Sequence, residues 1–294
     1  MADCTVTLYL ALPSLKAANV DPSCTEHCLT DAEREAFERD GFLLVPEALC
    51  AAEVDRLTAL VDEMGRRRAS EVEPGGRLHL RDFLHDDPMF MDLLDWPTTF
   101  PKIWGILGWH IQLYLSHVDI TSPWKTEQPL PKRLGWHQDS GRVNLEMEGD
   151  PRPRLSVKVG YFLSDVTVPG RGNFCVVPGS HRRNLLGGPG DSDPPDAMPV
   201  CVAPGTAVLF DRRLWHAPSP NTSNITRKAV FYGYSYRWLR PRDNLRVEDY
   251  PDCHDPIRRQ LLGASRDGHG YSSPEPGDVP LKAWLEEHAA GSVQ

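Results

Sequence analysis

His137-Gln138-Asp139, His216 and Arg227 are the residues of this chain whose types and spacing could do chemistry. Residues two apart on an extended strand point to one face, so an imidazole at 137 and a carboxylate at 139 can reach one metal ion together. A lone His-x-Asp is also the pattern of two polar residues facing solvent. His216, after a later apolar stretch, supplies a third ligand. Two His and one carboxylate with the remaining positions open suit a non-haem Fe(II) that activates oxygen. Arg227, entering the next strand, can present its planar fork to a carboxylate in a bidentate pair. The far carboxylate of a dicarboxylic keto acid, chelating iron through its keto-acid end, would fit there. The bland alternative for Arg227 is a surface salt bridge or a loop hydrogen bond.

Such a site needs elements to hold it. Residues 1–28 show no clear periodicity and read as a partly ordered leader. Thr30-Asp31-Ala32-Glu33 has the spacing of a capping box, and the helix it starts should stop at Gly41. Residues 42–45 read as a buried strand ending at Pro46. A second helix over roughly 51–68 places Val54, Leu57, Leu60, Val61 and Met64 on one face. From residue 110 the pattern changes to short apolar strands at 110–120, 155–164, 174–177, 207–210 and 229–237, which predicts a barrel or sandwich. Gly170-Arg171-Gly172-Asn173 and Pro204-Gly205 supply turns. Loops at 121–133 and 184–199 are rich in Pro, Gly and charge, as lids and substrate contacts often are.

The formal net charge of −9 argues against nucleic acid or an anionic membrane surface as partner, since both reward a basic face. Seven cysteines, an odd and scattered set (Cys4, Cys24, Cys28, Cys50, Cys175, Cys201, Cys253), point to a reducing compartment. Cys24, His27 and Cys28 could be half of a zinc site, but no second pair of suitable spacing follows. The apolar stretch at 6–12 follows Asp3 and is too short to span a bilayer. A cytoplasmic protein with no anchor is expected.

Trp136-His137-Gln138-Asp139, Gly172-Asn173-Phe174 running into Val177-Pro178-Gly179-Ser180-His181, the segment 205–216 and Arg227 together resemble the phytanoyl-CoA dioxygenase-like branch of the Fe(II)/2-oxoglutarate-dependent oxygenases. Asp40-Gly41-Phe42 within the segment 37–45 is also similar to that family. The likeness spans roughly residues 30–240. It implies a mainly β fold with flanking helices, a double-stranded β-helix or jelly roll of the cupin kind. It also implies that His137, Asp139 and His216 hold Fe(II), that Arg227 binds the distal carboxylate of 2-oxoglutarate, and that O2 is the second cosubstrate. By position, Gln138, Tyr161 and His117 look like cosubstrate-pocket residues, and His79 is a weaker candidate of the same kind. The expected organisation is one catalytic domain over 29–294: a helical part to about 105, the jelly-roll core over 106–240 and an extension over 241–294.

The implied reaction is oxidation, by default hydroxylation, of a C–H bond in a small molecule, with release of succinate and CO2, in a setting such as secondary metabolism. Acyl thioester, amino acid and natural-product scaffold all stay open as substrate. A jelly-roll isomerase or lyase that does not use 2-oxoglutarate, and a catalytically silent binding protein on the same scaffold, are the alternatives.

Overall fold

The computed structural model describes residues 20–71, 76–125, 127, 129–185, 192–289 and 291. The apolar stretch at 6–12 and residues 186–191 of the second loop lie outside them. Helix α1 (Asp31–Asp40), strand β1 (Phe42–Val45) and helix α2 (Ala51–Arg67) follow the predicted order. Thr30 Oγ1 accepts from Glu33 N at 3.2 Å while Thr30 N donates to the Glu33 carboxylate at 3.0 Å, the two halves of a capping box. Gly41 ends α1 with φ 82°, and a Cβ there would fall 2.4 Å from the His181 ring. The turn residue therefore serves a close approach as well as a left-handed conformation.

Beyond α2 come β2 (Arg77–Leu80), α3 (Pro88–Asp92), α4 (Phe100–Leu107), β3 (Ile111–Thr121), α5 (Gly141–Glu146) and β4 (Ser156–Phe162). Then follow β5 (Phe174–Val176), β6 (Met198–Val200), β7 (Ala207–Asp211), β8 (His216–Pro218), β9 (Arg227–Tyr236), α6 (Pro256–Leu261) and α7 (Pro280–His288). The sequence reading lacks β2, β6 and β8, and it lacks helices α3 to α7. Two of the missed strands have three residues, too few to show a period of two.

Six strands form an antiparallel sheet in the order β1-β7-β4-β9-β3-β2, faced by a second sheet β6-β5-β8. This is the jelly roll. Helices cover the outer face of the large sheet, so its inner strands β7, β4, β9 and β3 are buried on both sides and alternate between two cores. On β4 and β9, Val157, Val159, Tyr161, Val230, Tyr232 and Tyr234 belong to the helix-side core, while Phe162, Ala229 and Phe231 belong to the core between the sheets. Three buried tyrosines tie the sheet to the helices: Tyr232 and Tyr234 donate to the Phe90 and Leu94 carbonyls at 2.7 Å, and the Tyr161 hydroxyl bonds Thr99 at 2.6 Å.

Strand β3 carries a bulge between Leu113 and Leu115. It frees the Tyr114 carbonyl, which accepts from Arg242 N at 2.8 Å. Asp243 then accepts from both Ser116 N and Ser116 Oγ. The chain beyond β9 is thus laid across β3.

Asp211 ends β7 and starts the turn that leads to His216. It is fully buried, with Arg154 Nε at 2.6 Å and Arg213 Nη2 at 2.7 Å from Oδ2, while its own N–H bonds the Gly41 carbonyl. Burial alone would raise its carboxyl, but the two guanidinium groups hold it below the ordinary 3.8. A depressed carboxyl contributes stability above that value and loses it as the pH falls. Asp211→Asn leaves two buried cations underpaired and should cost about 3 kcal/mol in chemical denaturation. The gap between wild type and variant should narrow below pH 3.8.

Candidate metal site

His137 and Asp139 do not lie on a regular strand as expected. His137 forms a single antiparallel bridge with His216 at the start of β8, each N–H donating to the other's carbonyl at 3.0 Å. Asp139 N donates to the Arg212 carbonyl at 2.9 Å, which fixes the carboxylate beside the imidazoles. The two rings sit 4.3 Å apart, and His216 Nε2 is 4.0 Å from Asp139 Oδ1.

Both imidazoles are pre-set as ligands. Nδ1 of His137 donates to the Gly135 carbonyl at 2.9 Å and Nδ1 of His216 to the Leu214 carbonyl at 2.8 Å. A carbonyl can only accept, so Nε2 keeps its lone pair. Burial pushes the His216 imidazole down to about 4, against the pull of Asp139. Burial would raise the Asp139 carboxyl, but the Lys158 ammonium and the imidazoles hold it well below the usual carboxylate range. One ligand atom from each of the three residues fits within 4.8 Å, and the buried Asp139 Oδ2 has the Lys158 ammonium 2.9 Å away. This donor set fits a divalent, borderline cation with positions left open.

The triad opens on a cavity of about 200 Å3, with Phe174, Phe210 and Phe231 in its wall. Arg227, 4% exposed, lies there with its guanidinium carbon 5.1 Å from the Phe162 ring centre and 5.6 Å from that of Phe231. Its Nε has no partner, and its nearest anion is Asp119 Oδ2 at 3.7 Å. A buried, half-matched guanidinium is a receptor for a carboxylate. His117 lines the same cavity, stacked on Phe231 at 4.7 Å, as does His79, whose Nδ1 donates to Asp119 at 2.8 Å.

Two pocket expectations fail. Tyr161 points into the helix-side core, because odd-numbered residues of β4 face the helices. Gln138 turns away from the cavity and donates to the Arg183 and Arg213 carbonyls, pinning two loops. Sequence reasoning also missed Lys158, whose Nζ lies 2.9 Å from each Asp139 oxygen, and Asp119, Arg77 and Arg242. Lys158 was visible as the one charged residue of an apolar strand. Asp119 belongs to a second His-x-Asp, His117-Val118-Asp119. Arg242 gave no local signal.

The sequence pattern of the phytanoyl-CoA dioxygenase family matches residues 37–229. The chain belongs to the phytanoyl-CoA dioxygenase family. As a member it is a 2-oxoglutarate-dependent non-haem iron dioxygenase, with Fe(II) as metal and 2-oxoglutarate and O2 as cosubstrates. An uncharacterised protein of Mycobacterium bovis is 29% identical over 79% of this chain and 86% of its own length. Ectoine dioxygenase of Stutzerimonas stutzeri is 24% identical over 69% of the chain and 75% of its own. The jelly roll is shared with HygX of Streptomyces hygroscopicus, solved with nickel and 2-oxoglutarate bound, at TM-score 0.57 and 19% identity over 72% of this chain and 89% of that one.

A ligand that binds only the folded state stabilises it by about 2.7 kcal/mol at a hundred times its dissociation constant. Ni(II), used as an oxygen-inert probe at that excess, should raise the denaturation midpoint of the wild type accordingly. Asp139→Ala and His216→Ala should show no such rise.

Proposed function

We propose that His137, Asp139 and His216 hold the Fe(II), that Arg227 binds the distal carboxylate of 2-oxoglutarate, and that the enzyme hydroxylates a C–H bond of a small molecule. The balance is one 2-oxoglutarate, one O2 and one C–H bond consumed for one succinate, one CO2 and one C–OH formed. The observation that carries this reading is the meeting, in one cavity, of the three ligands with a buried arginine that lacks a full anionic partner.

When bound, the metal supplies the oxygen-activating chemistry that the amino acids lack. The chain contributes placement. Reciprocal backbone bonds between His137 and His216 set the ligand spacing, and the two carbonyls behind the rings set the tautomers. Phe174, Phe210 and Phe231 give the site apolar walls that exclude water. His117, its imidazole pushed well down by burial, stays neutral beside the cosubstrate.

Among the described residues no helix is long and apolar enough to cross a membrane, and no disulfide joins their cysteines. A reducing cytoplasmic setting is part of this proposal.

Anaerobic loading with Fe(II) and 2-oxoglutarate should give a metal-to-ligand charge-transfer band, and a compound panel under air should contain members that stimulate succinate release. Arg227→Ala should raise the 2-oxoglutarate requirement by about thirtyfold or more, the cost of truncating one partner of a buried charge pair. Unchanged cosubstrate affinity in that variant overturns the assignment.

A further inference from the structure

Counted as charges, the cavity sets Arg77, Lys158, Arg227 and Arg242 against Asp119 and Asp139. Asp119 is already matched: Arg77 Nη2 donates to its oxygens at 3.1 and 3.2 Å, and His79 donates at 2.8 Å. Lys158 is matched by Asp139, whose negative charge a bound metal would share. Under the function proposed above, the metal takes Asp139 and the cosubstrate takes Arg227. A dication and a dianion cancel, so the cavity lining keeps two more cations than anions, with Lys158 and Arg242 among the cations.

Lys158 is buried, whereas Arg242 is exposed and lines the cavity. The Lys158 side chain is only 8% exposed, on the sheet face opposite the helices. Arg242 is 39% exposed and is held by its backbone on the Tyr114 carbonyl at the β3 bulge. Its nearest carboxylate oxygen is Asp243 Oδ1 at 3.8 Å, too long for a hydrogen bond, while the other Asp243 oxygen is taken by Ser116. The two groups enter away from the cosubstrate end. Arg227 sits opposite Thr121, whereas Lys158 is in register, through Gly233, with Leu115, next to Tyr114. Thr121 lies six residue steps along the strand from Leu115, about 20 Å.

We propose that the substrate carries an anionic group, a carboxylate or a phosphate, that is received by Arg242 together with Lys158. This inference rests on the iron and 2-oxoglutarate reading. It adds a substrate class to it: acids, with the oxidised C–H bond within reach of the metal and the acid group toward the chain that follows β9.

The test uses the full chain, loaded without oxygen with Fe(II) and saturating 2-oxoglutarate. The probes are phenylacetate, phenyl phosphate and phenylacetamide, with affinity read by calorimetry and by perturbation of the charge-transfer band. At least one acid should bind roughly tenfold tighter than the amide, the worth of one hydrogen bond between charged groups. The stronger of the two acids tells carboxylate from phosphate. Arg242→Gln should reduce the preference to about threefold or less, and Arg242→Lys should restore most of it. Equal binding of acids and amide, or an undiminished preference in Arg242→Gln, overturns the proposal. Absence of the band overturns the iron and 2-oxoglutarate reading instead, and calorimetry on the metal-loaded protein still decides the acid preference.

Discussion

Two hydrogen bonds between the backbones of His137 and His216 hold this site together. They join a loop to the first residue of β8 and bring ligands from distant parts of the chain to one point. Each ring then needs only a local carbonyl to fix its orientation. The metal site is therefore a property of main-chain pairing. Side chains adjust it but do not create it, and the Asp211 cluster matters because it fixes the turn that delivers His216 to that pairing.

The second constraint is strand parity. Since β4 is buried on both faces, one step along it moves a residue from the helix-side core to the cavity. Tyr161 and Lys158 stand on opposite sides of that divide. A buried ammonium is costly unless paired, and Asp139 offsets that cost while the metal is absent. Under the proposed function the same carboxylate would serve both the stability of the metal-free protein and the metal site, so metal binding and folding would be coupled through one residue.

The candidate ligands were legible in the sequence because His-x-Asp has a ligand spacing, and because family likeness tied His216 and Arg227 to that pair. Long strands and the capped first helix were legible for the same reason: their periods run for enough residues to be counted. What failed did so for lack of a reference frame. The side chain of Gln138 follows the metal motif but leans outward to two carbonyls. Tyr161 sits in a strand whose inward face cannot be assigned when both faces are apolar. Strands β6 and β8 are too short to declare themselves, and α3 and α4, which begin at Asp87-Pro88 and Thr99-Phe100-Pro101, are themselves only five and eight residues long. Arg242 depends on a bulge in a strand far away in sequence, and no local pattern encodes that.

The bulge at Tyr114 gives the fold a division of labour. The candidate metal residues are tied together by the His137–His216 bridge, whereas the wall bearing Arg242 is hung on β3 by one freed carbonyl and by Asp243. Farther on, Gln260 of α6 grips the Trp109 and Ile111 carbonyls at the start of the same strand, just before the bulge. The tail is thus a separately fastened panel. A substitution in that panel would leave the His137–His216 pairing untouched.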